Sequence, residues 1–209
     1  MIAANYVPNR FQDGRHQAIT EGLRSQGHKV FTTKFPRESN VQPNIAVFWN
    51  LHGSNYWEAR RLEDAGAQVW VAEEGYTRGL VEEPHFALAI GGHNGSGVWW
   101  IGDASRWDNL GLVAKPLDEN REGYVLVCGQ RGIGAPGMAS PPNWENETAK
   151  ELRARGEEVK VRPHPGKDKA KRAALVDDLK GAKSVVVWAS AAALQARLMG
   201  IPTFFAAPN

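Results

Sequence analysis

The stretch ETAKELRARG, residues 147–156, followed at once by EEVKVRP, residues 157–163, decides the fold. It reads as a helix, a glycine suited to the left-handed position that closes a helix, and a β-rich run. The same phrase occurs three more times: HQAITEGLRSQG (16–27) before HKVFTT (28–33), WEARRLEDAG (57–66) before AQVWVAEE (67–74), and AAALQARLMG (191–200) before IPTFF (201–205). Strands alternating with helices across short loops predict mostly parallel sheets covered by helices on both faces. The four phrases differ in sequence, so they form no repeat array.

Working outward, further strands are predicted at NIAVFWN (44–50), HFALAI (85–90), GVWWIG (97–102), YVLVCG (124–129) and SVVVWA (184–189). The polar, proline-containing stretch VAKPLDENREG (113–123) separates a Trp-rich first part from a strand that restarts the pattern. A boundary there divides the chain into residues 1–117 and 118–209. Each part is small for an independent Rossmann-like unit. The expected architecture is therefore α/β, with two Rossmann-like lobes whose mostly parallel sheets face a central cleft.

The 209 residues, 42% hydrophobic and 23% charged, suit a globular chain rather than a disordered or fibrous one. A formal charge of +2 is too small to announce nucleic-acid binding by itself. The single cysteine, Cys128, excludes an internal disulfide framework and any multi-thiolate metal site, and fits a reducing cytoplasm. The opening MIAANYVPNR lacks a basic, then apolar, leader, and no run of about 18 apolar residues would span a membrane. Neither a P-loop nor a G-x-S-x-G elbow is present, and the six histidines form no H-E-x-x-H or H-x-H. No catalytic metal is indicated, and no Asp-x-Asp stands ready for a nucleotide's divalent ion.

After YVLVCG comes a formal G-x-G-x-x-G at Gly132, Gly134 and Gly137, but Pro136, Pro141 and Pro142 block a helix until about Asn143 or Trp144. The strand that should end in an acidic ribose partner ends instead in Arg162 and Pro163, which argues against a dinucleotide site. The loop reads instead either as a long surface loop rich in turn residues or as a flexible cover over a ligand, with Gln130 and Arg131 at its base. Arg162-Pro163-His164-Pro165 sets a guanidinium and an imidazole at a strand's carboxyl end, a pair suited to phosphate oxygens. The small residues from Ser190 and Ala191 onward let a helix start approach an anion, although Ser190 also reads as a simple cap. These three elements follow three strands of one half and could converge on one diphosphate.

In the first half, Glu73-Glu74-Gly75-Tyr76-Thr77-Arg78 ends a strand with two carboxylates beside an aromatic and an arginine, which can supply a base. Asn50 to Gly53, with His52, and Asn9 to His16, with Asp13, also follow strands and can line the same crevice. Gly91 to Gly97 reads as a hairpin turn. Trp99 and Trp100 stand between core and sugar or base stacking, with at least one of the pair expected in the core because strand neighbours face opposite ways.

The acidic-Gly-aromatic-x-Arg turn at Glu73–Arg78, the Gly-Gln after the strand at Val125–Gln130, the Arg-x-His-Pro turn and the Ser190–Pro202 element resemble, in that order, GT-B glycosyltransferases. The branch they most resemble is the capsule polysaccharide synthesis group. The resemblance implies a nucleotide-sugar donor, a UDP- or CMP-sugar, held by the second lobe, an acceptor held by the first, and transfer without a metal or prosthetic group. Under it, Gln130, Arg131, Arg162, His164, Ser190 and Ala191 bind the donor. Glu74, with His52 and Asp13, carries catalysis, and His16, Arg78 and Trp100 receive the acceptor. The second lobe is short beside the family's, as in a minimal version. Compact phage enzymes that glycosylate hydroxymethylated bases in double-stranded DNA are similarly reduced, so the acceptor implied is such DNA, in a host cytoplasm, or a glycan. Two other readings stay open at this point: a non-catalytic nucleotide-sugar binding module, and an NAD(P)-dependent or epimerase-like enzyme of similar shape.

Overall fold

The structure, a computed structural model, describes residues 1–6, 14–33, 41–77, 80–82, 85–134, 138–166 and 174–208. The chain divides into two units, Met1–Gly102 and Asp103–Asn209. In the first, the elements are β1 (Ile2–Tyr6), α1 (Arg15–Ser25), β2 (Lys29–Thr33), β3 (Ile45–Trp49), α2 (Ser54–Asp64), β4 (Gln68–Glu74) and β5 (Phe86–Ile90). They build a sheet ordered β2-β1-β3-β4-β5, parallel except for β5, which runs antiparallel to β4 with Glu74 opposite Phe86. The second contains α3 (Ser105–Asp108), β6 (Tyr124–Cys128), α4 (Trp144–Ala154), β7 (Val159–Arg162), α5 (Leu175–Lys180), β8 (Ala182–Val187), α6 (Ala192–Leu198) and β9 (Thr203–Phe205). Its sheet, ordered β7-β6-β8-β9, is wholly parallel.

The glycine joints behave as their positions require. Gly27, Gly66, Gly156 and Gly200 take φ of +80°, +90°, +86° and +78°, a region that costs a side chain strain and glycine nothing. Gly200 has a second constraint: a Cβ there would run into Pro116 O. The approach is close because Lys115 and Asp118 donate their N–H groups to Leu198 O and Gly200 O, each at 2.9 Å, which straps residues 115–118 to the end of α6.

Alternation along the strands puts helices on both faces of each sheet. On β3, Ala46 and Phe48 join Ala59 and Leu62 of α2, while Ile45, Val47 and Trp49 join Ile19 and Leu23 of α1. On β6, Leu126 and Cys128 meet Leu179 of α5 and Ala196 of α6, while Val125 and Val127 meet Ala149 and Leu152 of α4. Phe48 is wholly buried, so truncating it to alanine would cost about 3–5 kcal/mol. Cys128 lies in this interior, and burial pushes its thiol up to about 12, so it stays protonated and inert.

Two expectations change. The run 97–102 is not a strand: Ile90 and Val98 exchange a pair of 2.9 Å backbone hydrogen bonds across the turn at 91–97, and pairing stops there. Because the chain leaves the sheet at Val98, neither neighbour is core; Trp99 is 40% and Trp100 52% exposed. By contrast, α4 begins at Trp144, where the prolines release it, after Asn143 at φ +61°.

Each sheet has a point where the chain's winding reverses, between β1 and β3 in the first and between β6 and β8 in the second. Ligands of open α/β sheets bind beyond the carboxyl ends of the strands at such points.

Candidate active site

In the first unit, three strand ends are tied to one helix. Asn5, a polar residue wholly buried in β1, donates from Nδ2 to His16 O at 2.9 Å and to Thr20 Oγ1 at 3.0 Å, and its Oδ1 lies 3.2 Å from His16 Nδ1. A buried amide left unsatisfied would cost about 1–3 kcal/mol, so these contacts lock α1 onto β1. His16 is thereby 7% exposed and serves the packing of α1, beside the Trp49 ring, rather than lining an open surface. Its neighbour Arg15 reaches the other two strand ends, lying over the Trp49 ring of β3 and pairing with Glu74, the last residue of β4.

The turn after Glu74 is built around His85. Its Nε2 lies 2.6 Å from Thr77 Oγ1, its carbonyl accepts the Gly75 N–H at 3.2 Å, and its ring fills the space a Cβ on Gly75 would need. Tyr76 then packs on Trp99, and Trp100 stands edge-on to Trp70. His52 is exposed in the turn after β3; its N–H bonds to Asn50 Oδ1 at 3.1 Å, and Asn50 holds φ +56°. Asp13 and Arg78 lie outside the described residues.

In the second unit, the sheet order β7-β6-β8 places Arg162, Gln130 and Ser190 after adjacent strands. At about 4.8 Å between neighbouring strands, such a row spans roughly 10 Å, the scale of a nucleotide's phosphate end. Gln130 spends its amide on the chain: Nε2 donates to Ala189 O, and Oε1 accepts the Ala189 N–H at 3.3 Å. Trp188 Nε1 donates to Met138 O at 2.7 Å, and the Trp188 ring stands edge-on to Trp144. The described part of the loop after β6 is thus pinned to the end of β8, where the sequence suggested a flexible cover. Arg131 is exposed.

Arg162 pairs with Asp178 of α5, which also takes Lys160. Burial alone would raise the Asp178 carboxyl, but the hydrogen bonds from Lys160 and Arg162 outweigh it and hold the group below the usual carboxylate range. The cluster keeps one net positive charge at the end of β7. His164 Nδ1 accepts the Gly166 N–H at 3.0 Å, so the neutral ring carries its hydrogen on Nε2, a donor suited to a phosphate oxygen. Ser190 Oγ accepts the Ala192 N–H at 3.3 Å, next to Ala191 at the start of α6.

No family model matches the chain, and no curated protein matches it. Among solved structures it is similar to the Thermosulfurimonas dismutans KpsC beta Kdo 2,7 transferase, with a TM-score of 0.59 and 15% identity over 99% of this chain and 79% of that one. It is also similar to the beta Kdo 2,4 transferase of the same protein, at 0.56 and 13% over 96% and 78%. The chain shares its two-unit α/β fold with these transferase structures. At these identities the likeness is one of fold alone. Among the described residues, no helix is long and apolar enough to cross a membrane.

Sequence reading gave no role to Asn5, His85 and Asp178, and included Arg15 only within the run Asn9 to His16, without its partner Glu74. Asn5 left a signal, a carboxamide inside a run otherwise fit for a buried strand. The other three act through partners distant in the chain.

Proposed function

We propose that the protein transfers a sugar from a nucleotide-sugar donor to a hydroxyl of a glycan acceptor. The second unit takes the donor's phosphate at the ends of β6, β7 and β8, and the first unit brings the acceptor and Glu74. The observation that carries the reading is the row of Gln130, Arg162, His164 and Ser190 after adjacent parallel strands, in a fold shared with Kdo transferases.

In the proposed reaction the bond between the anomeric carbon and the donor phosphate breaks, and negative charge grows on the departing oxygen. Arg162 and the Nε2 hydrogen of His164 face that charge, and donors already in place stabilise it without reorganising. Glu74 takes the proton of the attacking hydroxyl, and His52 follows the neighbouring strand β3. Gln130 shapes the wall by fixing Ala189, and Ser190 and Ala191 hold the start of α6 against the phosphate. The exposed Trp100 ring offers an apolar face to a pyranose of the acceptor.

The test is nucleotide release from CMP-Kdo, other CMP-sugars and UDP-sugars, each alone, with a Kdo-terminated oligosaccharide, and with hydroxymethylated double-stranded DNA. Release stimulated by the oligosaccharide is expected. Stimulation by the DNA alone would replace the glycan as acceptor, and no release from any donor would overturn the transferase reading.

A further inference from the structure

We propose that Arg15 is the positioning residue of the Glu74 carboxylate, an inference that rests on the transferase reading and deepens it. Arg15 Nη1 lies 2.9 Å from Glu74 Oε1, and its guanidinium carbon lies 4.5 Å from the centroid of the Trp49 ring. The last residues of two neighbouring parallel strands, β3 and β4, therefore fix one guanidinium, one by its face and the other by its edge. Exposure is unequal: the Arg15 side chain is 11% exposed and that of Glu74 35%. The cation is shielded while the carboxylate it holds faces outward.

The backbone under Arg15 is equally fixed. Arg15 opens α1, and the Asn5 hydrogen bonds to His16 O and Thr20 Oγ1 clamp the turn that follows it. Arg15 is thus the rigid partner and Glu74 the group that is held.

The placement runs against what the helix itself favours. The first turn of a helix favours acidic side chains; α1 has none there, begins with Arg15 and His16, and receives no side-chain cap from its N-cap residue, Gly14. A single, partly exposed ion pair adds little to stability, so stability does not explain an arginine in this position. What the pair supplies is orientation. Tying Oε1 to a buried, stacked guanidinium restricts the carboxylate to one presentation, the condition under which a reacting group works at full rate. Lysine does not replace it, because an ammonium has neither the flat face for Trp49 nor the fork for a carboxylate.

The experiment measures kcat and donor KM with CMP-Kdo and a Kdo-terminated oligosaccharide for wild type, Glu74→Gln, Arg15→Met, Arg15→Lys and the Arg15→Met/Glu74→Gln double variant, with melting temperatures alongside. Arg15→Met is expected to lower kcat roughly 10- to 100-fold with donor KM within about twofold, and Arg15→Lys to recover only part of the loss. Adding Arg15→Met to Glu74→Gln should change the residual turnover no further, because Arg15 acts through Glu74. Arg15→Met with full kcat beside an inactive Glu74→Gln would overturn this inference alone, as would a fall in melting temperature with kcat intact. Additive losses in the double variant would also overturn it, by showing that Arg15 acts on substrate directly. Full turnover by Glu74→Gln would overturn the role of Glu74 and this inference together. If Arg15→Met does not fold, Arg15→Lys decides by the same criteria: full kcat overturns the proposal, and a kcat loss with unchanged KM supports it.

Discussion

The side-chain amide of Gln130 meets both backbone polar groups of Ala189, donating from Nε2 to the carbonyl and accepting the N–H on Oε1. Only a carboxamide does both at once. Gln130→Glu keeps the shape but loses the donor, setting an ionised oxygen against a carbonyl and beside the proposed phosphate. The expected outcome is a loss of about 1–2 kcal/mol of stability in thermal or urea unfolding, and a donor KM raised about tenfold.

The His85 ring occupies the space beside Gly75, so Gly75→Ala should displace the ring and break its contact with Thr77. We expect a cost of about 1–3 kcal/mol, as for other forced overpacking, and a fall in kcat because the turn begins at Glu74. His85→Ala combined with Gly75→Ala should restore stability relative to Gly75→Ala alone, which differential scanning calorimetry would show.

Asp178 gives the fold an acid limit. Its carboxyl sits below the ordinary value because Lys160 and Arg162 hold the ionised form, so its contribution is complete above the unfolded value of about 3.9 and is lost as pH falls through the folded value. Asp178→Asn should cost about 3 kcal/mol at pH 7 and flatten the decline in stability below about pH 4. Urea midpoints across that range check both parts.

Glu74→Gln should lower kcat by roughly 10²- to 10⁴-fold, the usual worth of a general base, with little change in donor binding. Calorimetric titration with CMP or UDP separates the two quantities. Equal losses in binding and turnover would move Glu74 from the proton-transfer step to the donor site.

The sheets were legible because buried parallel strands demand Val- and Ile-rich runs and because a left-handed joint demands glycine; both demands are local. The start of α4 was legible for the same reason, since proline acts on its immediate neighbours. Trp99 and Trp100 were misread because strand propensity does not record that β5 is an edge strand from which the chain departs at Val98. Glu74, Gln130, Arg162, His164 and Ser190 could be picked out by their place after strands. What occupies them could not: the Arg15 that holds Glu74, the Ala189 that takes up Gln130 and the Asp178 that takes up Arg162 are brought near by the topology, which spacing along the chain does not encode.

Residues Met1–Gly102 hold every strand of their own sheet and the helices that cover both of its faces. During synthesis on the ribosome, that half can therefore close its interior and shield its apolar strands while the remaining codons are still being read.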